Sequence, residues 1–136
     1  MAAFSNTPAT RTPVMCLVSL ERPTESDPCL QPTQLLLQPE ALTQLSTALR
    51  SAPPPLRVVA VAGPAGDGKS TLCNALHACW SSTLYAPLFA SSDSLLSGTT
   101  AGVWAAVAVG SADEGSLLVL DFEGSDMGNA SACAPK

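Results

Sequence analysis

Apolar residues fall in blocks along this chain, and the spacing inside each block predicts an element. Residues 14–20, Val14-Met15-Cys16-Leu17-Val18-Ser19-Leu20, form an apolar run of strand length. The stretch 21–32 is polar and carries Pro23, Pro28 and Pro32, so it reads as loop. Gln34-Leu35-Leu36-Leu37 predicts a short strand returning beside the first. Pro39 and Glu40 then open a helix, because proline fits the first helical position and an acid the first turn. Ala41, Leu42, Leu45, Ala48 and Leu49 recur at helical spacing and build one apolar face. The helix ends at Ser51 and Ala52, before Pro53-Pro54-Pro55, which cannot donate backbone hydrogen bonds.

Residues 56–62, Leu56-Arg57-Val58-Val59-Ala60-Val61-Ala62, are β-branched and nearly uncharged, the pattern of a strand buried on both faces. Residues 69–80 predict a second helix, with Leu72, Ala75, Leu76 and Cys79 on one side. Residues 81–100 are polar and irregular. Two more strands follow at 103–109 and 116–121. The short acidic connection between them, with Gly110 and Gly115, predicts a hairpin. Strand 56–62 is expected in the centre of the sheet beside a parallel 117–120, with 103–109 antiparallel at an edge.

Composition narrows the class. The chain has 136 residues, 46% of them hydrophobic and 12% charged, against about 25% charged in an average domain. That suits one domain with a core and excludes wholesale disorder. No apolar run approaches the ~18–20 residues of a membrane-spanning helix. A net charge of -5 argues against nucleic acid or an anionic membrane as a partner bound through a general positive field. The five cysteines, Cys16, Cys29, Cys73, Cys79 and Cys133, show no C-x-x-C pair and stand with one histidine, His77. This gives neither a zinc set nor a disulfide framework, and points to reduced thiols in a cytoplasmic protein. Residues 1–20 hold one arginine and no acid, too little for an organelle-targeting helix.

The strongest chemical signal is Gly63-Pro64-Ala65-Gly66-Asp67-Gly68-Lys69-Ser70, which fits G-x-x-x-x-G-K-[ST]. It stands between a predicted strand and a predicted helix that runs on through Thr71. A triphosphate needs many donors in a small concave space. Glycines let backbone N–H groups turn inward, and the helix start adds partial positive charge. Lys69 supplies a full charge to the β- and γ-phosphates, and the Ser70 hydroxyl suits Mg²⁺. A second signal is Leu117-Leu118-Val119-Leu120-Asp121-Phe122-Glu123-Gly124, four aliphatics running into an acid, as a Walker-B strand ends. Asp121 would stand near Mg²⁺ and the Gly124 N–H near a γ-phosphate. Taken alone, a strand ending in Asp is more often a solvated turn. The third signal, Thr99-Thr100-Ala101-Gly102-Val103-Trp104, offers in Thr100 a hydroxyl for Mg²⁺ and an N–H for the γ-phosphate, as a switch element does. Its bland alternative is a polar loop leading into a strand.

Together these segments resemble the guanylate-binding protein and atlastin family of large, dynamin-related GTPases. The resemblance runs from about Pro13 to Gly124. It includes the Val14-Met15-Cys16-Leu17 strand, the Pro39-Glu40-Ala41-Leu42 helix, the Thr100-x-Gly102-Val103-Trp104 switch and Asp121-x-Glu123-Gly124. It implies an α/β P-loop NTPase with a Ras-like three-layer GTPase fold; residues 13–124 are then the N-terminal portion of that domain, truncated after the Walker-B strand, with residues 1–12 a flexible N-terminus and 125–136 a polar tail. It implies GTP with Mg²⁺, pairing of two copies through the GTPase domain when nucleotide is bound, and functional roles for Lys69, Ser70, Thr100, Asp121 and Glu123.

The sequence departs from the family in three places near the loop. Gly66 stands where the family carries an arginine that acts in cis, a device worth about 10³–10⁵ in rate. Asp67 adds a carboxylate beside the phosphate site, and Gly98 replaces a serine. Neither N-K-x-D nor the family's Arg-Asp guanine-reading element is present. Slow hydrolysis and weak or absent enzyme activity are therefore expected, together with an exposed apolar edge or face beside the loop. Two other readings fit the residues: a P-loop ATPase or nucleotide kinase, for which Gly68-Lys69-Ser70-Thr71 also serves, and a non-enzymatic interaction fragment.

Overall fold

The computed structural model describes residues 13–21, 34–64, 66–84, 87–90 and 102–122. Among these residues five strands and two helices follow one another as β1 (Met15–Glu21), β2 (Gln34–Leu37), α1 (Pro39–Ser51), β3 (Leu56–Val61), α2 (Lys69–Trp80), β4 (Val103–Val109) and β5 (Ser116–Phe122). The strands form one mixed sheet in the order β2-β1-β4-β5-β3. The chain is thus an α/β fold, with each predicted element present within a residue or two of its expected bounds.

Pairing follows connection length. β1 and β2 are antiparallel, as are the hairpin strands β4 and β5, whose turn closes with Gly110 N–H donating to Gly115 O at 2.8 Å. β3 and β5 are parallel, with Val61 opposite Asp121. The connection between them carries α2, as a parallel crossover requires. Side chains alternate across the sheet. On one face Met15, Leu17, Ala105, Val107 and Leu118 pack with Leu45, Leu42 and Leu49 of α1. On the other, Ala106, Ala108, Leu117 and Val119 pack with Cys73 of α2 and with Phe89. Three alanines of β4, at 105, 106 and 108, are at most 1% exposed, so both helices approach the sheet closely.

Three expectations need correction. Strand 103–109 is not an edge strand: β4 lies between β1 and β5. Strand 56–62 is not central and not buried on both faces. Among the described residues β3 is an edge strand, and its α1-side residues Leu56 and Val58 are 46% and 57% exposed, because α1 packs mainly on β1 and β4. An apolar strip of β3 is therefore exposed among the described residues, but Leu56 and Val58 lie in the first half of the strand and the loop follows its other end. In α2 the inward residues are Ser70, Cys73, Asn74 and Ala78. Leu72, Ala75 and Cys79 face outward, with Leu72 51% exposed. Two polar side chains face inward here because each finds a partner, Ser70 in Asp121 at the end of β5 and Asn74 in the backbone of Leu88 and Phe89.

Candidate functional site

The loop between β3 and α2 takes the backbone path that its glycines permit. Gly66 and Gly68 have φ of 84° and 75°, in the left-handed region where a Cβ is strained. Gly68, with ψ of 20°, is the residue from which α2 starts, and no side chain caps that start. Pro64, Gly66, Asp67 and Gly68 are exposed, Gly63 and Lys69 half-buried, and Thr71 exposed on the first turn. The Lys69 side chain folds back over the loop. Its Nζ donates to the Pro64 carbonyl, and its stem lies against Gly63, where an added Cβ would meet Lys69 Cδ at 3.8 Å.

Ser70 turns the other way, into the protein. Its hydroxyl donates to Asp121 Oδ2 at 2.6 Å, a short charge-assisted hydrogen bond. Ser70 is 9% exposed and Asp121 0%. Asp121 sits one residue before the end of β5, level with Val61 of β3 and Trp104 of β4. So the carboxylate lies at the C-terminal ends of the parallel pair, where open α/β sheets present ligands. Cys73, one helical turn from Lys69, is wholly buried nearby. Burial, with the Asp121 carboxylate adding to it, pushes its thiol up to about 12.

No protein-family model matches the chain, and no curated protein matches it.

Of the residues singled out in the sequence, the fold brings Gly63, Pro64, Gly66, Asp67, Gly68, Lys69, Ser70 and Asp121 to one end of the sheet. Ala65, Thr100, Glu123 and Gly124 lie outside the described residues, as do Gly98 and Thr99. Gly102 and Trp104 have a structural reason of their own. A Cβ on Gly102, with φ of 92°, would stand 1.8 Å from Val18 O, where β4 enters beside an irregularity in β1. Trp104 packs into the α2-side core.

Sequence reasoning missed Asn74. It is 1% exposed. Its Oδ1 accepts from the N–H groups of Leu88 and Phe89 at 2.7 and 2.8 Å, and its Nδ2 donates to Phe89 O at 3.0 Å. The available signal was helical spacing: Asn74 follows Ser70 by four residues and so shares its inward stripe.

Among the described residues no three His, Cys, Asp or Glu side chains gather as a metal cluster, and no helix is long and apolar enough to cross a membrane.

Proposed function

We propose that this chain is a phosphate-loop nucleotide-binding protein of the Ras-like GTPase kind, taking Mg-GTP and hydrolysing it slowly. One observation carries the reading: Ser70 and Asp121, far apart in sequence, meet at 2.6 Å beside a glycine-bearing loop that opens into a helix. A loop that merely turned from strand into helix would not need a lysine, a serine and a buried acid together.

The donor set suits magnesium. A hydroxyl and a carboxylate are hard oxygen donors, and Mg²⁺ is commonly held by few protein ligands, the rest being water and phosphate. Ser70 and Asp121 would hold it, and the ion would supply charge neutralisation on the phosphates. Lys69 would exchange the Pro64 carbonyl for a phosphate oxygen, a swing within its own side chain. The exposed amides around Gly66 and Gly68, with the start of α2, would receive the remaining phosphate charge. Thr100, Glu123 and Gly124 keep their proposed switch and γ-phosphate roles on the sequence alone. Guanine as the base and pairing of two copies rest on the family resemblance, and a cytoplasmic setting on the cysteine pattern.

Titration calorimetry with GTP and ATP, each with and without Mg²⁺, tests this. The expected result is Mg-dependent GTP binding, weakened about 10- to 100-fold by Lys69→Ala, the range for losing a hydrogen bond to a charged group. Tighter ATP than GTP binding transfers the reading to a P-loop ATPase or nucleotide kinase. No binding of either nucleotide, with the chain folded, ends it in favour of an interaction fragment.

A further inference from the structure

The geometry points to Asn74 as a positioning residue that carries occupancy of the loop to the segment 87–90. This rests on the nucleotide-binding reading. Asn74 lies one helical turn after Ser70 on the inward side of α2, and both are buried. Segment 87–90 follows α2 and belongs to no helix or strand. Its backbone still has to be satisfied where it enters the core, because an unpaired buried peptide group is costly. Asn74 meets that need by acting as a substitute peptide group. Its carbonyl oxygen accepts two N–H groups and its amide donates to one C=O, all on Leu88 and Phe89.

The apolar contacts reinforce the clamp. Phe89 is 2% exposed and packs in the same cluster as Cys73, the residue before Asn74. The first two turns of α2 thus carry Ser70 on Asp121, Cys73 in the core, and Asn74 on segment 87–90. A ligand that steadies the first turn of α2 then steadies Leu88 and Phe89 through a rigid helix, with no contact between ligand and segment. A leucine or alanine at position 74 would keep the helix but leave the peptide groups of Leu88 and Phe89 without these partners.

Hydrogen exchange read at single amides, on the whole chain with and without Mg-GTP, tests the relay. In the wild type, nucleotide at 100 times its dissociation constant should slow exchange of the Leu72 amide, which bonds Gly68 O at 2.9 Å, by up to ~100-fold. The Leu88 and Phe89 amides should slow with it. In Asn74→Ala the response of Leu72 should persist while that of Leu88 and Phe89 disappears. Asn74→Asp, which keeps the accepting oxygen and loses the amide donor, should restore part of it. A wild-type response at Leu72 but not at Leu88 and Phe89 overturns the relay even if the alanine variant fails to fold. An unchanged response at Leu88 and Phe89 in Asn74→Ala overturns it too. No response at any amide brings down the nucleotide reading instead, and the relay with it.

Discussion

The Ser70 hydroxyl donates to Asp121 Oδ2 at 2.6 Å, tying the first turn of α2 to the end of β5. Asp121 is fully buried, so each donor it receives offsets part of the cost of holding a carboxylate away from water. Ser70→Ala should therefore destabilise the fold by ~1–3 kcal/mol, the range for depriving a buried polar group of a partner. Asp121→Asn should cost less in the Ser70→Ala background than in the wild type, since one of its losses has already occurred. Denaturant unfolding of the two single variants and the double variant measures that coupling. Additive effects would show that the two side chains do not act as a unit.

On the proposed GTPase reading Gly66 matters twice, because it offers no cation to the phosphates and because its backbone is left-handed. Its φ of 84° is strained for any residue with a Cβ. On that reading Gly66→Arg should place a cation near the phosphates and raise GTP turnover, yet lower stability by roughly 1–2 kcal/mol. Single-turnover hydrolysis and a thermal melt of the same variant read the two effects separately. Faster turnover with no loss of stability would mean that the loop relaxes to a negative φ when nucleotide-free.

Much of the architecture was legible because period and punctuation agreed. Pro39-Glu40 with the 41, 42, 45, 48, 49 stripe gave α1 and its buried face, and Gly110 with Gly115 gave the hairpin. The strand order was not legible. Residues 56–61 are apolar enough for a central strand, but hydrophobicity says what would be stable buried, not which neighbour arrives to bury it. The face of α2 was misjudged because Leu72 and Leu76 outweighed Ser70 and Asn74 in a reading that counts apolar residues. There, hydrogen bonds to Asp121 and to Phe89 set the orientation. At the site, the loop was legible by motif, whereas Asn74 needed the position of a distant segment that no local pattern encodes.

The thiols should separate cleanly by reactivity. Cys73 is buried and its thiol is pushed up to about 12, while Cys79 is exposed. At pH 8 an alkylating reagent should label Cys79 quickly and Cys73 only after unfolding. The shift also sets a sign. Between the ordinary thiol value of 9.0 and about 12, the unfolded chain loses a proton that the folded chain keeps, so stability should fall as pH rises through that window. His77 acts at the other end. Burial lowers its pKa from 6.5, so its contribution is full above that value and declines as pH falls below it. Chemical denaturation from pH 5 to 10.5 should show both arms, with Cys73→Ala flattening the alkaline one. Fast labelling of Cys73 in the folded protein would contradict the packing of α2 on β5.

The open side of β3 should govern how the protein behaves in solution. Leu56 and Val58, 46% and 57% exposed, share one face of a strand whose outer edge meets no other strand among the described residues. Such an edge offers both backbone groups and apolar surface to a second chain. Burying a valine side chain fully is worth ~1.5–3 kcal/mol, so association through this strip has a driving force that a single charge can oppose. Val58→Lys should weaken concentration-dependent self-association in sedimentation velocity. It should leave the monomer's stability within about 0.5 kcal/mol, because Val58 is already largely in water. The wild type should also give a melt that broadens with concentration. A wild-type chain that stays monomeric and melts sharply at every concentration would mean that something else in the chain already covers β3, and that Val58 is not exposed in solution.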